Sequence, residues 1–387
     1  MNRTVIGAPG LSEDIAALLG AALGERQFSG VACLVALDGE LAVEVHLGTQ
    51  ATSDPDGQPL APERQVPVTA ATWFDLASVT KVFTAHTALS LADEDVVDLD
   101  APVASALAAY RSGERSAVTL RHLLSHTSGL PATWDGWRAP LAAHLATIPD
   151  GTRLTATPLP DRDALLSDLV ATPLEASPGA RFEYSCVGYN TAMAYLEAVT
   201  GRPWRSLVTE RTLGPLGLDE VTADPDPARC AATEHQPALH RGVVCGVVHD
   251  ETAWSLGGGA GNAGLFATAR GLLDFGEAVR RGAGRVRGAW MWDDALTPIL
   301  GRPTTSPEGG FGSAMGLRIG DAAFMGVTTT ARGHTGFTGT SLQVDRASES
   351  VIALLTNRVH PSRESSAIQP LRAAIADRVA AYRTEGR

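Results

Sequence analysis

The chain has 387 residues, 44% of them hydrophobic and 19% charged, which suits one large packed domain or two interleaved ones and excludes a disordered chain. Its formal net charge of −12 repels phosphate backbones, so no nucleic-acid partner is expected. It contains no run of about 18 apolar residues, so neither a membrane-spanning helix nor a membrane partner is expected.

The opening stretch, residues 1–10, lacks the apolar core of a secretory signal, and a cytoplasmic location is expected. Residues 11–23 carry Glu13 and Asp14 and read as a surface helix. Residues 31–37 read as a buried strand, Asp38-Gly39 as a hairpin turn, and the alternating residues 40–46 as the returning strand. Pro/Gly-rich stretches at 53–67, 149–162 and 301–310 are loops. Residues 78–91 form an apolar helix, and shorter helices are expected at 120–125, 163–171 and 187–199. Residues 340–345 and 350–356 pair as strands around Arg346, Ala347 and Ser348. Residues 364–383 close the chain as a helix with Ile368, Leu371, Ile375 and Val379 on one face.

Strands thus stand at both chain ends and helices in the middle. The expected fold is mixed α/β (α+β). Residues 1–90 and 306–387 form a sheet domain, residues 91–305 a mostly helical insertion, and the active site lies between them. Four cysteines, Cys33, Cys186, Cys230 and Cys245, are too few for a disulfide framework in so long a chain, and free thiols are expected.

Lysine occurs once, at Lys81; the other thirty of the 31 basic residues are arginine. Arginine stays protonated, whereas a lysine can be depressed until it sheds its proton. Ser78 stands three residues before Lys81 at the start of the apolar helix, so the two share a face. A helix N-terminus favours an alkoxide-like serine and offers a backbone N–H to an oxyanion, and a neutral lysine can take the serine's proton. A capping serine followed by a solvated lysine is the ordinary reading of this spacing. The chain's having no other lysine favours the catalytic one.

The run 74–81, ending Ser78-Val79-Thr80-Lys81, resembles the nucleophile motif of the serine β-lactamase and penicillin-binding-protein superfamily. Residues 120–131, containing His126-Thr127-Ser128-Gly129-Leu130, are similar to a segment common in its class C-like members. Tyr184-Ser185-Cys186 resembles the Tyr-x-Asn motif, and His334-Thr335-Gly336 the Lys/His-Thr-Gly strand. The resemblance implies an antiparallel sheet flanked by N- and C-terminal helices, with an inserted all-helical domain. It implies Tyr184 as the partner base for Ser78, with Lys81 attracting the phenolate and ordering the proton path. It places His334 to donate to a substrate oxygen or hold the phenolate, and Thr335, Gly336 and Phe337 around the substrate. The oxyanion donors would be the N–H groups of Ser78 and Phe337.

Cys186 departs from the motif, whose third residue is Asn. A thiol replaces an amide's donor and acceptor weakly, which weakens recognition of a peptide-like amide. Cys186 as an alternative nucleophile is set aside, since nothing near it in sequence activates a thiol. Cys230, His235, His240, Cys245 and His249 fit no common zinc spacing, and no metal or cofactor is expected. The glycine run 257–264 lacks a phosphate-loop ending and reads as a tight packing turn near the site. Trp134 and Trp137 either wall the substrate entrance or pack the helical domain.

The expected activity is therefore acyl transfer through an acyl-enzyme on Ser78, with a small-molecule acyl donor and acceptor as partners. The missing export signal and Cys186 favour an intracellular esterase or transacylase. A DD-peptidase or β-lactamase-type amide hydrolase, and a non-catalytic binding protein on the same scaffold, remain alternatives.

Overall fold

A computed structural model describes residues 3–149, 151–154, 161–283, 311–364 and 368–385. Its main sheet draws on both chain ends. The strands are β1 (Arg3–Gly7), β2 (Gly30–Leu37), β3 (Glu40–Gly48), β4 (Gly312–Ala314), β5 (Leu317–Ile319), β6 (Arg332–Thr335), β7 (Ser341–Asp345) and β8 (Ser350–Thr356). They lie in the order β1-β3-β2-β8-β7-β6-β5-β4, and every pairing is antiparallel.

β2 shows why its sequence lacks polar alternation. Successive side chains point to opposite faces. Val31, Cys33, Val35 and Leu37 join one apolar cluster, while Ala32, Leu34 and Ala36 join the other. The first cluster is covered by α1 (Leu11–Gly24), through Leu11, Ile15 and Leu19. The C-terminal helix α7 (Gln369–Glu385) completes that layer through Leu371, Ile375 and Val379, with Ile368 just before it.

The other face carries the helical part of the molecule. Its centre is α2 (Thr80–Asp93), buried along nearly its whole length. Around it stand α3 (Leu120–Leu124), α4 (Arg162–Val170), α5 (Cys186–Thr200) and α6 (Ala269–Arg281). α6 packs directly on the sheet although it belongs to the stretch assigned to the insertion. A methyl group on Gly276 would come within 2.5 Å of Val351 and 2.8 Å of Leu342, so only glycine permits this approach. Loop 301–310, residues 155–160 of loop 149–162, and the boundary at 305–306 lie outside the described residues. Among the described residues, no helix is long and apolar enough to cross a membrane.

Candidate active site

Ser78 lies in a single 3₁₀ turn, Ala77–Val79, between a two-residue strand (Phe74–Asp75) and α2. Ala77 adopts φ +45°, a conformation costly for a residue with a Cβ, which persists only where the surroundings enforce it. The buried Asp75 supplies much of that enforcement. Its carboxylate accepts the N–H of Ala77 at 2.8 Å and of His249 at 2.6 Å, and its carbonyl accepts the Thr338 hydroxyl at 2.7 Å. Burial raises the Asp75 pKa, and the two backbone donors oppose it. Leu76 is held on both sides: its N–H donates to Leu265 O at 2.9 Å and its carbonyl accepts from Thr340 Oγ1 at 3.0 Å.

Lys81, the second residue of α2, is completely buried. Its Nζ donates to Ser78 Oγ at 3.0 Å, to Asn262 O at 3.2 Å and to Cys186 Sγ at 3.4 Å. The glycine run earns its composition here. A methyl on Gly261 would strike the Tyr189 carbonyl, and this closeness delivers the Asn262 carbonyl to the ammonium. Burial alone would lower the Lys81 pKa. The attraction of Cys186 and then Tyr184, when ionised, outweighs it, and the net shift is upward. The direction is opposite to the depressed lysine expected from the sequence, so Lys81 is an ammonium that holds charge and orientation.

Tyr184 precedes α5, and its ring centroid lies 4.9 Å from Lys81 Nζ. Ser185 caps the helix by accepting Gly188 N–H at 2.9 Å, and its own hydroxyl donates to Pro131 O at 2.6 Å. Tyr189 sits 5.7 Å from the same ammonium but is fully buried, and its hydroxyl donates to Leu124 O at 2.7 Å. Burial drives its pKa well up. Of the two tyrosines, only Tyr184 lines the cavity at Ser78.

His126 is the positioning residue the sequence reading quoted without assigning a role. Its φ is +63°, its carbonyl accepts Glu183 N–H at 2.8 Å, and its Nδ1 accepts Ser185 N–H at 3.0 Å. Its ring lies 4.6 Å from that of Tyr184. Burial, then Lys81 and Arg318, pushes its pKa well down, so the ring is neutral with its proton on Nε2.

His334, on β6, is also buried and pushed well down, by burial first and then by Arg318 and Lys81. Its Nδ1–H donates to Thr335 O at 2.8 Å, leaving Nε2 as an acceptor without a partner among the described residues. The histidine expected to donate to a substrate oxygen therefore has only a lone pair to offer. Its ring is 5.9 Å from that of Tyr184.

A cavity of about 340 Å³ opens over Ser78, with Tyr184, Thr335, Gly336 and Phe337 on its walls. Its remaining lining is three arginines, Arg318, Arg358 and Arg372, with Ile368 and Gln369. Arg318 pairs with Asp321 at 2.9 Å. Arg372, from α7, is buried and, among the described residues, donates to uncharged oxygens only: Thr340 O at 2.6 Å, Gly336 O at 3.2 Å and Gln369 Oε1 at 2.8 Å. Burial, then the nearby Arg358 and Arg318, pushes it down to about 9. Phe337 is half exposed, stacked on His249 at 5.6 Å with Arg358 over its ring at 4.9 Å.

Trp134 and Trp137 do not line this cavity. Both are buried in the helical core, Trp134 donating to Asp168 at 2.9 Å. The cysteine–histidine series is dispersed: His249 pairs with Glu234 at 2.9 Å, His240 meets Thr152 O at 3.2 Å, and Cys245 donates to Cys230 O at 3.4 Å.

Comparison with known proteins agrees with this geometry. The beta-lactamase family model matches residues 15–377. A putative D-alanyl-D-alanine carboxypeptidase of Escherichia coli K12 is 30% identical over 327 residues, covering 77% of this chain and 72% of its own. In fold, the chain resembles a family VIII carboxylesterase, with TM-score 0.70, 19% identity, and coverage of 98% of this chain and 100% of that one. It also resembles EstCE1, a hydrolase with promiscuous acyltransferase activity, with TM-score 0.68, 22% identity, and coverage of 95% and 98%. A match that spans seven of the eight strands of the main sheet and the whole of the Ser78 site places the chain in the beta-lactamase family of serine hydrolases.

Proposed function

We propose that this protein transfers acyl groups from small esters through an acyl-enzyme on Ser78. The observation that carries this reading is the chain's only lysine, wholly buried, with its ammonium 3.0 Å from Ser78 Oγ. Ser78 Oγ attacks the donor carbonyl while its proton passes to Tyr184. Lys81 stabilises the negative charge on the serine oxygen and on the tyrosine. The N–H groups of Ser78 and Phe337 receive the oxyanion. The leaving alcohol takes the proton from Tyr184, and water or a bound nucleophile then discharges the acyl-enzyme by the reverse route. Cys186 in place of an amide removes a donor and an acceptor suited to a peptide bond, which favours ester donors.

The test follows chromogenic short-chain esters with wild type and Ser78→Ala, with and without a primary amine. Ser78-dependent acid release supports the hydrolase, and a large amide fraction supports the transacylase. Absence of any Ser78-dependent turnover or acyl adduct overturns the reading.

A second reading, hydrolysis of D-alanyl peptides, is favoured by the printed name of the Escherichia coli relative and by the arginines around the cavity, which suit a substrate carboxylate. Ser78-dependent release of D-alanine from a D-alanyl-D-alanine peptide, faster than ester turnover, would select it.

A further inference from the structure

Cys186 takes no step in the acyl transfer above, yet it touches the residue on which that chemistry depends. Its sulfur is one of three partners of the Lys81 ammonium, at 3.4 Å, beside Ser78 Oγ and Asn262 O. An ammonium has three N–H donors, and the sulfur is among the acceptors that share them. Cys186 opens α5, at the end of the helix dipole that carries partial positive charge. It is only partly buried, and it shares the Lys81 ammonium with Ser78, which lines the cavity.

The remaining thiols stand in a different environment. Burial pushes Cys33 up to about 12 and Cys245 up to about 11, and burial followed by Cys245 raises Cys230 as well. They stay protonated at neutral pH, and it is the thiolate that reacts. Only Cys186 has an ammonium in contact with its sulfur.

We propose that Cys186 and Lys81 form a peroxide-responsive pair that joins through a sulfur–nitrogen bond and switches the site off. The Cys186 thiolate attacks one oxygen of hydrogen peroxide. The S–O bond forms, the O–O bond breaks, and sulfur gives up two electrons to the peroxide. The departing hydroxide takes a proton from the Lys81 ammonium and leaves as water. Cys186 is now a neutral sulfenic acid and Lys81 a neutral amine. The amine attacks the sulfenic sulfur, the S–N bond forms, the S–O bond breaks, and the hydroxyl leaves with an amine proton as a second water. Ser78 thereby loses its ammonium. A dithiol reverses the link: one thiol attacks Cys186 sulfur, nitrogen leaves with a proton, and the second thiol closes a disulfide and frees Cys186. An asparagine at this position could do none of this.

The experiment treats the purified protein with hydrogen peroxide and reads tryptic peptides, intact mass and esterase activity. The switching claim rests on the proposed function, whereas the peptides report the link itself without any substrate. The link makes the protein lighter by two hydrogen atoms and blocks trypsin at Lys81, the chain's only lysine. A disulfide between Cys230 and Cys245 would change the mass equally, so the peptides decide. The expected result is a joined peptide containing Lys81 and Cys186, an activity loss of more than about tenfold, and recovery of both with dithiothreitol. Cys186→Ser should retain its own untreated activity under the same dose and be cleaved normally at Lys81. Cys186 gaining one or more oxygen atoms while trypsin still cuts at Lys81 would overturn the proposal. Equal peroxide sensitivity of Cys186→Ser would overturn the switch.

Discussion

His126 Nδ1 accepts the backbone N–H of Ser185 at 3.0 Å and so fixes the residue that follows Tyr184. The bond spans 59 positions and links the His-Thr-Ser-Gly segment to the tyrosine motif. It explains why an uncharged imidazole lies against Tyr184: a protonated ring would have no lone pair for Ser185.

His126→Ala should lower kcat more than it raises KM, since a misplaced proton acceptor costs on the order of a hundredfold. His126→Asn should recover part of this loss, because asparagine has a carbonyl acceptor and tolerates the φ of +63° found here. Steady-state kinetics of both variants check the assignment. Equal impairment of Asn and Ala would remove the acceptor role.

Gly336→Ala should damage both stability and activity. The added methyl would lie 2.5 Å from Leu76 O and would also strike the Thr340 hydroxyl, the two groups that lock the turn carrying Ser78. Overpacking of this kind costs roughly 1–3 kcal/mol. Thermal unfolding should show that loss, and the acylation rate should fall disproportionately as Ser78 is displaced.

Arg372→Gln should discriminate between substrates. A charge-assisted hydrogen bond contributes roughly 1.5–3 kcal/mol, so kcat/KM for an ester bearing a carboxylate should drop by about ten- to a hundredfold. A neutral ester of the same size should change little. Parallel loss on both esters would mean that Arg372 only braces the Gly336 and Thr340 carbonyls.

Stability should fall in mild acid. Burial depresses His86 to about 4, and His126, His334 and His360 are lowered for the same reason. A base whose pKa is lower when folded binds its proton first in the unfolded chain. Its contribution is therefore full above the unfolded value of about 6.5 and is lost as pH falls toward the folded one. For His86 alone this amounts to ~3 kcal/mol. Denaturant unfolding between pH 7 and pH 4 should show the decline, and His86→Gln should flatten it.

The C-terminal helix, the hairpin 31–46, the strand pair near the chain end and the helix carrying Lys81 were legible because each depends on local periodicity and turn chemistry. That Ser78, Lys81 and Tyr184 would cluster was legible because their motifs stand in order along the chain. The packing of α6 on the sheet was not, because it depends on Gly276 meeting Val351 and Leu342, which only the folded sheet brings there. Trp134 and Trp137 could not be placed either, since an aromatic side chain fits a cavity wall and a core equally well until its neighbours are known.

Sequence by itself determined that one lysine stands a helical turn after one serine, and that a cysteine occupies the third position of the tyrosine motif. Tertiary structure alone decided what they do to one another. Cys186 is 105 residues from Lys81 in the chain, and its contact reverses the direction in which burial would move the lysine. The tautomer of His334 was decided in the same way, by the bond its Nδ1–H makes to the Thr335 carbonyl. Charge and proton location respond to distances of a few ångströms and to the loss of water, and neither is a property of residue order.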